Sequence, residues 1–246
     1  MNGELNMKLF EPFTINGKLR LRNRIVMPAL VTRLATEEGE ITEELIERYL
    51  LYAKGGTGLI ITEAISVRKQ KSGPLLRLSE DRLVPALREL IERVHSESDA
   101  GIAPQIIHFM KISRSGYRQK VEDLSVEEIR EIPELLARAA ERARTAGFDA
   151  VELHFAHAYT LSSFLSRHNQ RKDEYGGSLK NRLHLAEEVV EASRKAVGSD
   201  FVLGARINGD ESLMRVLLKA CWRTGRRTWW RLRDPPFAIR TGPGRP

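Results

Sequence analysis

Two histidines and a tyrosine lie within six residues of each other, at His154, His157 and Tyr159. A short apolar run that begins at Asp149 precedes them, so one strand would deliver all three side chains to the same edge of a sheet. Neutral imidazoles can donate hydrogen bonds to a carbonyl or developing enolate oxygen, and a phenol can protonate the carbon that follows. The His-x-x-His spacing also fits half of a metal site or a structural pair. These alternatives stay open on the residues alone.

Short apolar runs that alternate with helical segments predict the scaffold for these residues. Five runs predict strands, at 24–28, 58–62, 102–107, 149–154 and 201–207. Their near-continuous apolarity is typical of parallel strands buried on both faces. Ahead of them, residues 9–21 predict a hairpin that turns at Asn16-Gly17.

Helix start and stop signals separate the predicted strands. Ser125 and Glu128 form a capping box that predicts a helix to 146, which Pro133 should break or kink. Three further N-caps, Thr42, Ser79 and Ser178, predict helices that end near 54, 97 and 197.

Spacing limits the architecture to two forms. Four βα units fit between Arg24 and Arg206, about 45 residues each, and eight such units would need more residues than the 246 present. The fold is therefore expected to be α/β, either an open doubly wound sheet or an incomplete (β/α)8 TIM barrel of about five strands plus the hairpin.

Composition divides the chain in two. Residues 1–211 are nearly neutral, whereas 212–246 carry eight Arg and one Lys against Asp234, together with all three Trp and the one cysteine, Cys221. This tail is interpreted as a segment without an evolved fold, such as a shifted reading frame, as a terminal extension, or as a phosphate-binding arm with stacking aromatics. One cysteine excludes an internal disulfide and an all-cysteine zinc or iron-sulfur site.

The sequence contains no apolar stretch of about 18 residues and no recognisable leader at its start. We therefore expect a cytoplasmic chain without a membrane partner. Binding to nucleic acid is not expected from the nearly neutral body.

Several motifs in order resemble one family. They are Leu9-Phe-Glu-Pro-Phe, Leu21-Arg-Asn-Arg-Ile-Val-Met-Pro28, Tyr52-Ala-Lys-Gly-Gly-Thr-Gly-Leu-Ile-Ile-Thr-Glu63 and the run from Phe148 to Arg182 with Asp173-Glu-Tyr-Gly-Gly-Ser178. Together they resemble the Old Yellow Enzyme family of NADH:flavin oxidoreductases over about residues 7–211. The resemblance implies a TIM barrel that binds FMN, oxidises NADH or NADPH and reduces activated C=C bonds in enones, enals or related small molecules. It also implies a possible homo-oligomer.

The resemblance also implies residue roles. His154 and His157 would bind the substrate carbonyl oxygen, and Tyr159 would donate a proton to the α-carbon. The FMN-binding residues would be Pro28, Ala29, Leu30, Ala64, Gln105 and Arg206, with Gln105 at the pyrimidine ring and Arg206 near its N1 and O2. No metal is expected.

Two kinds of departure separate this chain from the family pattern. Met110 and Ala158 stand where the family usually has glycine, and nothing after Glu211 resembles the last three barrel strands, whose loops would bind the FMN phosphate. The alternative function is therefore a truncated or frameshifted inactive fragment that does not bind FMN stably.

Overall fold

The computed structural model describes residues 8–70, 73–110 and 119–208. The strands are β1 (Phe13–Ile15), β2 (Leu19–Leu21), β3 (Val26–Met27), β4 (Leu59–Ser66), β5 (Gly101–Ile107), β6 (Ala150–Phe155) and β7 (Val202–Ile207). The helices are α1 (Glu43–Lys54), α2 (Val84–Glu97), α3 (Val126–Ala146), α4 (Thr160–Leu165) and α5 (Leu179–Val197). The predicted tail at 212–246 lies outside the described residues.

The main sheet decides between the two predicted architectures. Its five strands lie in the order β3-β4-β5-β6-β7, and every neighbouring pair is parallel. A doubly wound sheet reverses its strand order at a switch point, whereas a barrel wall keeps sequential order. The described residues therefore form a curled five-stranded part of a (β/α)8 barrel, which has eight strands when complete.

The N-terminal hairpin is separate from this sheet and closes one end of it. β1 pairs antiparallel with β2 through a turn in which Asn16 and Gly17 have positive φ, as the sequence predicts. Ile15 and Leu21 of the hairpin pack against apolar residues on the inner face of the sheet, among them Ile61 and Val202. The hairpin thus covers the apolar end of the barrel interior.

Helix boundaries confirm three of the four predicted N-caps. Thr42, Ser125 and Ser178 each accept a backbone N–H of the first turn, and the Ser125–Glu128 capping box is reciprocal. The prediction for Ser79 is wrong, because a 3₁₀ turn at Asp81–Leu83 comes first and α2 begins at Val84. Pro85 in the first turn of α2 explains this start, because a backbone N–H at that position would have no intrahelical partner and proline loses nothing by lacking one.

Pro133 does not break α3, which continues over 21 residues from Val126 to Ala146. One face of α3 is buried along its whole length, from Ile129 to Ala146. Tertiary packing of that face offsets the hydrogen bond that proline removes. Of the predicted break or kink at Pro133, the break is therefore wrong.

Side chains alternate between the two faces of the sheet and form three inner rows. The floor row is apolar (Ile61, Ala103, Ala150, Val202), the middle row is Ala64, Gln105, Glu152 and Gly204, and the rim row is Ser66, Ile107, His154 and Arg206. The intervening residues, such as Ile106 and Leu153, pack outward against the helices. Polarity therefore rises toward the carboxyl ends of the strands.

A register shift between β4 and β5 sets which residue of β4 faces inward. Ile61 pairs with Ala103 but Ala64 pairs with Gln105, so β4 holds one extra residue opposite Pro104. Proline has no N–H for the ladder and is tolerated at such bulges. The bulge places the small side chain of Ala64, rather than that of Glu63, in the middle row.

Candidate active site at the carboxyl end of the sheet

The turn after β6 brings His154, His157 and Tyr159 together. His154 Nε2 lies 3.1 Å from His157 Nδ1, and the ring centroids of His154 and Tyr159 are 5.4 Å apart in an edge-on arrangement. His154 is 2% exposed, whereas Tyr159 is 42% exposed at the rim. The sequence prediction that one strand end delivers all three side chains is confirmed geometrically.

Backbone strain shapes this turn. His157 and Ala158 have φ values of 58° and 56°, in the left-handed region that favours glycine. The side chain of Asn208, just after β7, accepts the His157 backbone N–H at 3.0 Å and holds the turn from the neighbouring strand. Ala158 therefore adopts a conformation that a glycine at this position would adopt without strain.

Hydrogen bonds assign the tautomers of the two histidines. The Ala156 backbone N–H donates to His154 Nδ1 at 3.4 Å, so the proton of neutral His154 is on Nε2 and is donated to His157 Nδ1. Burial, with repulsion from His157 and Arg206, lowers the pKa of His154 to about 4. Because His157 Nδ1 accepts this hydrogen bond, the N–H of His157 is on Nε2, at the exposed end of the histidine pair.

The other predicted residues of β5 and β7 lie on the inner face of the sheet. Arg206 pairs directly with His154 in the rim row. Gln105 is in the middle row and 3% exposed, and its Nε2 donates to Glu152 Oε1 at 2.6 Å. Gln105 and Ala64 are not the last residues of their strands, since β5 and β4 each continue for two more residues.

Pro28, Ala29 and Leu30 follow β3 at the same end of the sheet. Leu30 is 61% exposed, while Ala29 packs partly against the inner apolar residues. A buried carboxylate fixes the loop beyond them: Glu63 Oε2 accepts both the backbone N–H of Thr32 at 3.0 Å and its hydroxyl at 2.6 Å. Burial raises the pKa of Glu63.

Sequence reasoning assigned no role to three buried polar residues near the site: Glu63, Glu152 and His108. Glu63 and Glu152 stand inside apolar strand runs, and a strict period of two from the floor row would have marked Glu152 as inward-facing. His108 follows β5 and hydrogen-bonds the Thr160 hydroxyl at 2.9 Å, and burial lowers its pKa to about 3. The register of β5 against β6 identifies the partner of Glu152, which is Gln105.

The loop that contains Arg171 and the Asp173–Ser178 motif braces the rim. Arg171 donates to the carbonyl oxygens of Val121 and Leu124 at 2.5 and 2.7 Å, and to both carboxylate oxygens of Asp173. Tyr175 is buried and hydrogen-bonds Glu188. This loop is structural and contributes no side chain to the histidine cluster.

Neither a metal-binding cluster nor a membrane-spanning helix occurs in the described part of the chain. Within 8–70, 73–110 and 119–208, no group of three or more His, Cys, Asp and Glu side chains is arranged to hold a metal ion. No helix in the same ranges has the length and apolarity needed to cross a membrane.

Known proteins resemble this chain in sequence. The model of the NADH:flavin oxidoreductase / NADH oxidase family matches residues 8–122 and 107–219. An NADH oxidase of Thermoanaerobacter brockii is 37% identical over 216 residues, which cover 79% of this chain and 33% of that protein. An NADPH dehydrogenase of Clostridium acetobutylicum is 33% identical over 226 residues, covering 83% and 65%. The chain thus spans about a third of the first relative's length and about two thirds of the second's.

A solved structure supports the same relationship at the level of fold. The Old Yellow Enzyme from Pichia sp. AKU4542 superposes with a TM-score of 0.79 at 26% identity, covering 90% of this chain and 69% of that one. The curled parallel sheet is therefore part of a barrel of that kind.

Proposed function

The chain belongs to the NADH:flavin oxidoreductase / NADH oxidase family, and from that premise we propose that it carries the substrate site and part of the cofactor site of an FMN-dependent ene-reductase. Family members are oxidoreductases that use FMN with NADH or NADPH as reductant. The proposed substrates are small electrophilic alkenes conjugated to a carbonyl group. The observation that carries the proposal is the cluster of His154, His157 and Tyr159 beside Arg206 at the carboxyl rim.

The donor set on the inner face fits the pyrimidine ring of a flavin. Gln105 offers its amide oxygen as an acceptor while its Nε2 donates to Glu152, and Arg206 offers a guanidinium whose charge suits the N1 and O2 end of the ring. Ala29 and Ala64 have small side chains beside these polar groups, and Pro28 and Leu30 are apolar residues at the same rim. We therefore assign FMN to this face of the sheet.

Bound FMN would supply the hydride that the β-carbon of the alkene accepts, with NADH or NADPH as its source. The protein's own residues supply the polar half of the reaction. His157, with its Nε2–H at the exposed end of the pair, donates to the substrate carbonyl oxygen, and His154 supports it from behind. This withdraws charge from the alkene and stabilises the developing enolate.

Tyr159 completes the reduction by donating its phenolic proton to the α-carbon. Its ring lies edge-on to His154, so the phenol and the imidazoles serve one substrate position. One hydride and one proton thus add across the C=C bond, and solvent returns the proton to Tyr159.

Titration of the purified 246-residue chain with FMN, followed by flavin fluorescence and visible absorption, tests the proposal. We expect saturable binding that Arg206→Ala weakens and His154→Ala/His157→Ala leaves in place, followed by NAD(P)H-driven reduction of an enone. A folded chain that does not bind FMN would contradict the proposal and support the alternative of an inactive fragment.

A further inference from the structure

Glu152 is an acidic residue on the inner face of the sheet, next to the proposed cofactor residues. It pairs with Gln105 of β5 on one side and with Gly204 of β7 on the other. Its neighbours Val151 and Leu153 pack outward against the helices, so the Glu152 side chain faces the interior. The carboxylate therefore lies one row below His154 and Arg206.

The contact between Glu152 and Gln105 determines the orientation of the amide. Gln105 Nε2 donates to Glu152 Oε1 at 2.6 Å, and the amide is almost fully buried. An ionised carboxylate offers only acceptors, so it binds the NH₂ end of an amide and not the carbonyl end. The Gln105 oxygen is consequently turned away from Glu152.

Placing a carboxylate here has an energetic cost. Burial raises the pKa of Glu152, and the hydrogen bond from Gln105 and the charge of Arg206 only partly oppose that effect. The floor row below is filled by apolar side chains such as Ala103 and Ala150, so this interior can be packed without charge. A buried charge next to a polar partner is thus weak evidence for stability alone.

We propose that Glu152 is a positioning residue for the cofactor site, one that fixes the Gln105 amide with its oxygen available to the flavin pyrimidine ring. That ring has an N3–H donor between two carbonyl acceptors, and an amide free to flip would match either. With Glu152 in place, Gln105 acts mainly as an acceptor for N3–H. This inference rests on the proposed function.

The test compares FMN with FMN methylated at N3, which lacks the donor, in binding titrations of the full chain. Wild type should prefer FMN. Glu152→Gln is nearly isosteric but can donate as well as accept, so it should bind FMN about ten-fold more weakly and lose most of the preference over the methylated form. A residue that only stabilised the fold would not change that preference.

A double-mutant cycle ties the effect to Gln105. If Glu152 acts through the amide, Glu152→Gln should add little to the loss caused by Gln105→Ala. The inference would be overturned if Glu152→Gln caused the same loss of FMN affinity in wild type and in Gln105→Ala. It would also be overturned if Glu152→Gln kept the wild-type preference for FMN over the methylated form. Glu141→Gln, an exposed position on α3, is the matched control and should bind as wild type does.

Folding of each variant is checked by circular dichroism before titration. Glu152→Asp keeps the charge but withdraws the acceptor by one methylene, so it should show the same loss and decides the question if Glu152→Gln does not fold. A folded wild type that does not bind FMN would refute the proposed function and this inference with it. Binding by wild type with an unchanged Glu152→Gln would refute this inference alone.

Discussion

His154 Nε2 donates to His157 Nδ1 across 3.1 Å, so the two imidazoles form a chain and not two parallel donors. This series of hydrogen bonds starts at the Ala156 backbone N–H, which donates to His154 Nδ1 and so fixes that nitrogen as an acceptor. Because burial lowers the pKa of His154 to about 4, His154 is neutral at pH 7 and donates through Nε2 only. In this arrangement His157 alone presents a ring N–H to a substrate.

The direction of the hydrogen bond from His154 to His157 predicts that substitutions of the two histidines have unequal effects on catalysis. His157→Ala removes the outer donor and should lower kcat/KM for enone reduction by about 10²-fold or more. His154→Ala leaves His157 with a freed Nδ1 and should cost less. Steady-state kinetics with NADPH and a cyclic enone measure both.

His157→Asn, which keeps a side-chain donor near the same position, is the matched control and should recover part of the loss. A larger loss in His154→Ala than in His157→Ala would show that the donor order is reversed. FMN titration of each variant separates a loss of substrate binding from a loss of cofactor.

Acid should destabilise the fold through its buried neutral histidines. Burial lowers the pKa of His108 to about 3, whereas an unfolded histidine titrates near 6.5. The folded state therefore binds fewer protons between these values, so the stabilisation is present above pH 6.5 and is lost as pH falls toward 3. At pH 5 each such histidine lowers the free energy of unfolding by about 2 kcal/mol relative to pH 7.5.

Urea unfolding of wild type and His108→Gln at pH 7.5 and pH 5.0 measures this contribution. The variant loses the hydrogen bond to Thr160 at both pH values. The difference in its free energy of unfolding between pH 7.5 and pH 5.0 should, however, be smaller than that of wild type by about 2 kcal/mol. His168→Gln, at an exposed loop position, should keep the wild-type difference. If His108→Gln shows the same difference between the two pH values as wild type, the wild-type His108 imidazole is protonated in the folded state at pH 5.0.

Local sequence signals predict much of the scaffold, because they act over a few residues. Thr42, Ser125 and Ser178 cap helices through their own hydroxyl groups, and Asn16-Gly17 sets the hairpin through its own φ values. The side chains of the histidine cluster are also supplied locally, by residues 154–159, although Asn208 of a distant segment holds the turn between them. The caps and the hairpin turn do not depend on what packs against them.

Features that depend on pairing between distant segments could not be predicted in the same way. Glu152 lies within an apolar run, and its role emerges only from its register with Gln105, 47 residues earlier. The bulge opposite Pro104 similarly decides that Ala64 faces inward. Pro133 shows the opposite error, because a long buried helix face outweighed a local breaker.

The loop after β3 depends on a buried carboxylate from β4. Thr32→Val removes the hydroxyl that donates to Glu63 Oε2 at 2.6 Å and leaves a buried carboxylate with one donor fewer. We expect a loss of about 1–3 kcal/mol in the free energy of unfolding, measured by urea denaturation. FMN affinity should fall with it, because the same loop carries Pro28, Ala29 and Leu30.

Thr32→Ser keeps the hydroxyl and serves as the control, with stability and FMN affinity close to wild type. If Thr32→Val unfolds at the same urea concentration as Thr32→Ser, the hydroxyl does not anchor the loop. Equal stability with weaker FMN binding would place the effect in the loop alone.

Arg171 joins two segments at the rim, residues 121–124 and its own loop, and its geometry predicts that lysine cannot replace it. One guanidinium donates to the carbonyl oxygens of Val121 and Leu124 while its Nε and Nη2 bind Asp173. Lysine offers a single ammonium without this fork, so it cannot reach all of these acceptors at once. Both Arg171→Lys and Arg171→Ala should therefore lower the free energy of unfolding by about 2–4 kcal/mol, measured by urea denaturation. Arg138→Lys, at an exposed ion pair on α3, is the control and should change the free energy of unfolding by less than about 0.5 kcal/mol. An equally small change in Arg171→Lys would show that the guanidinium fork does not brace the rim.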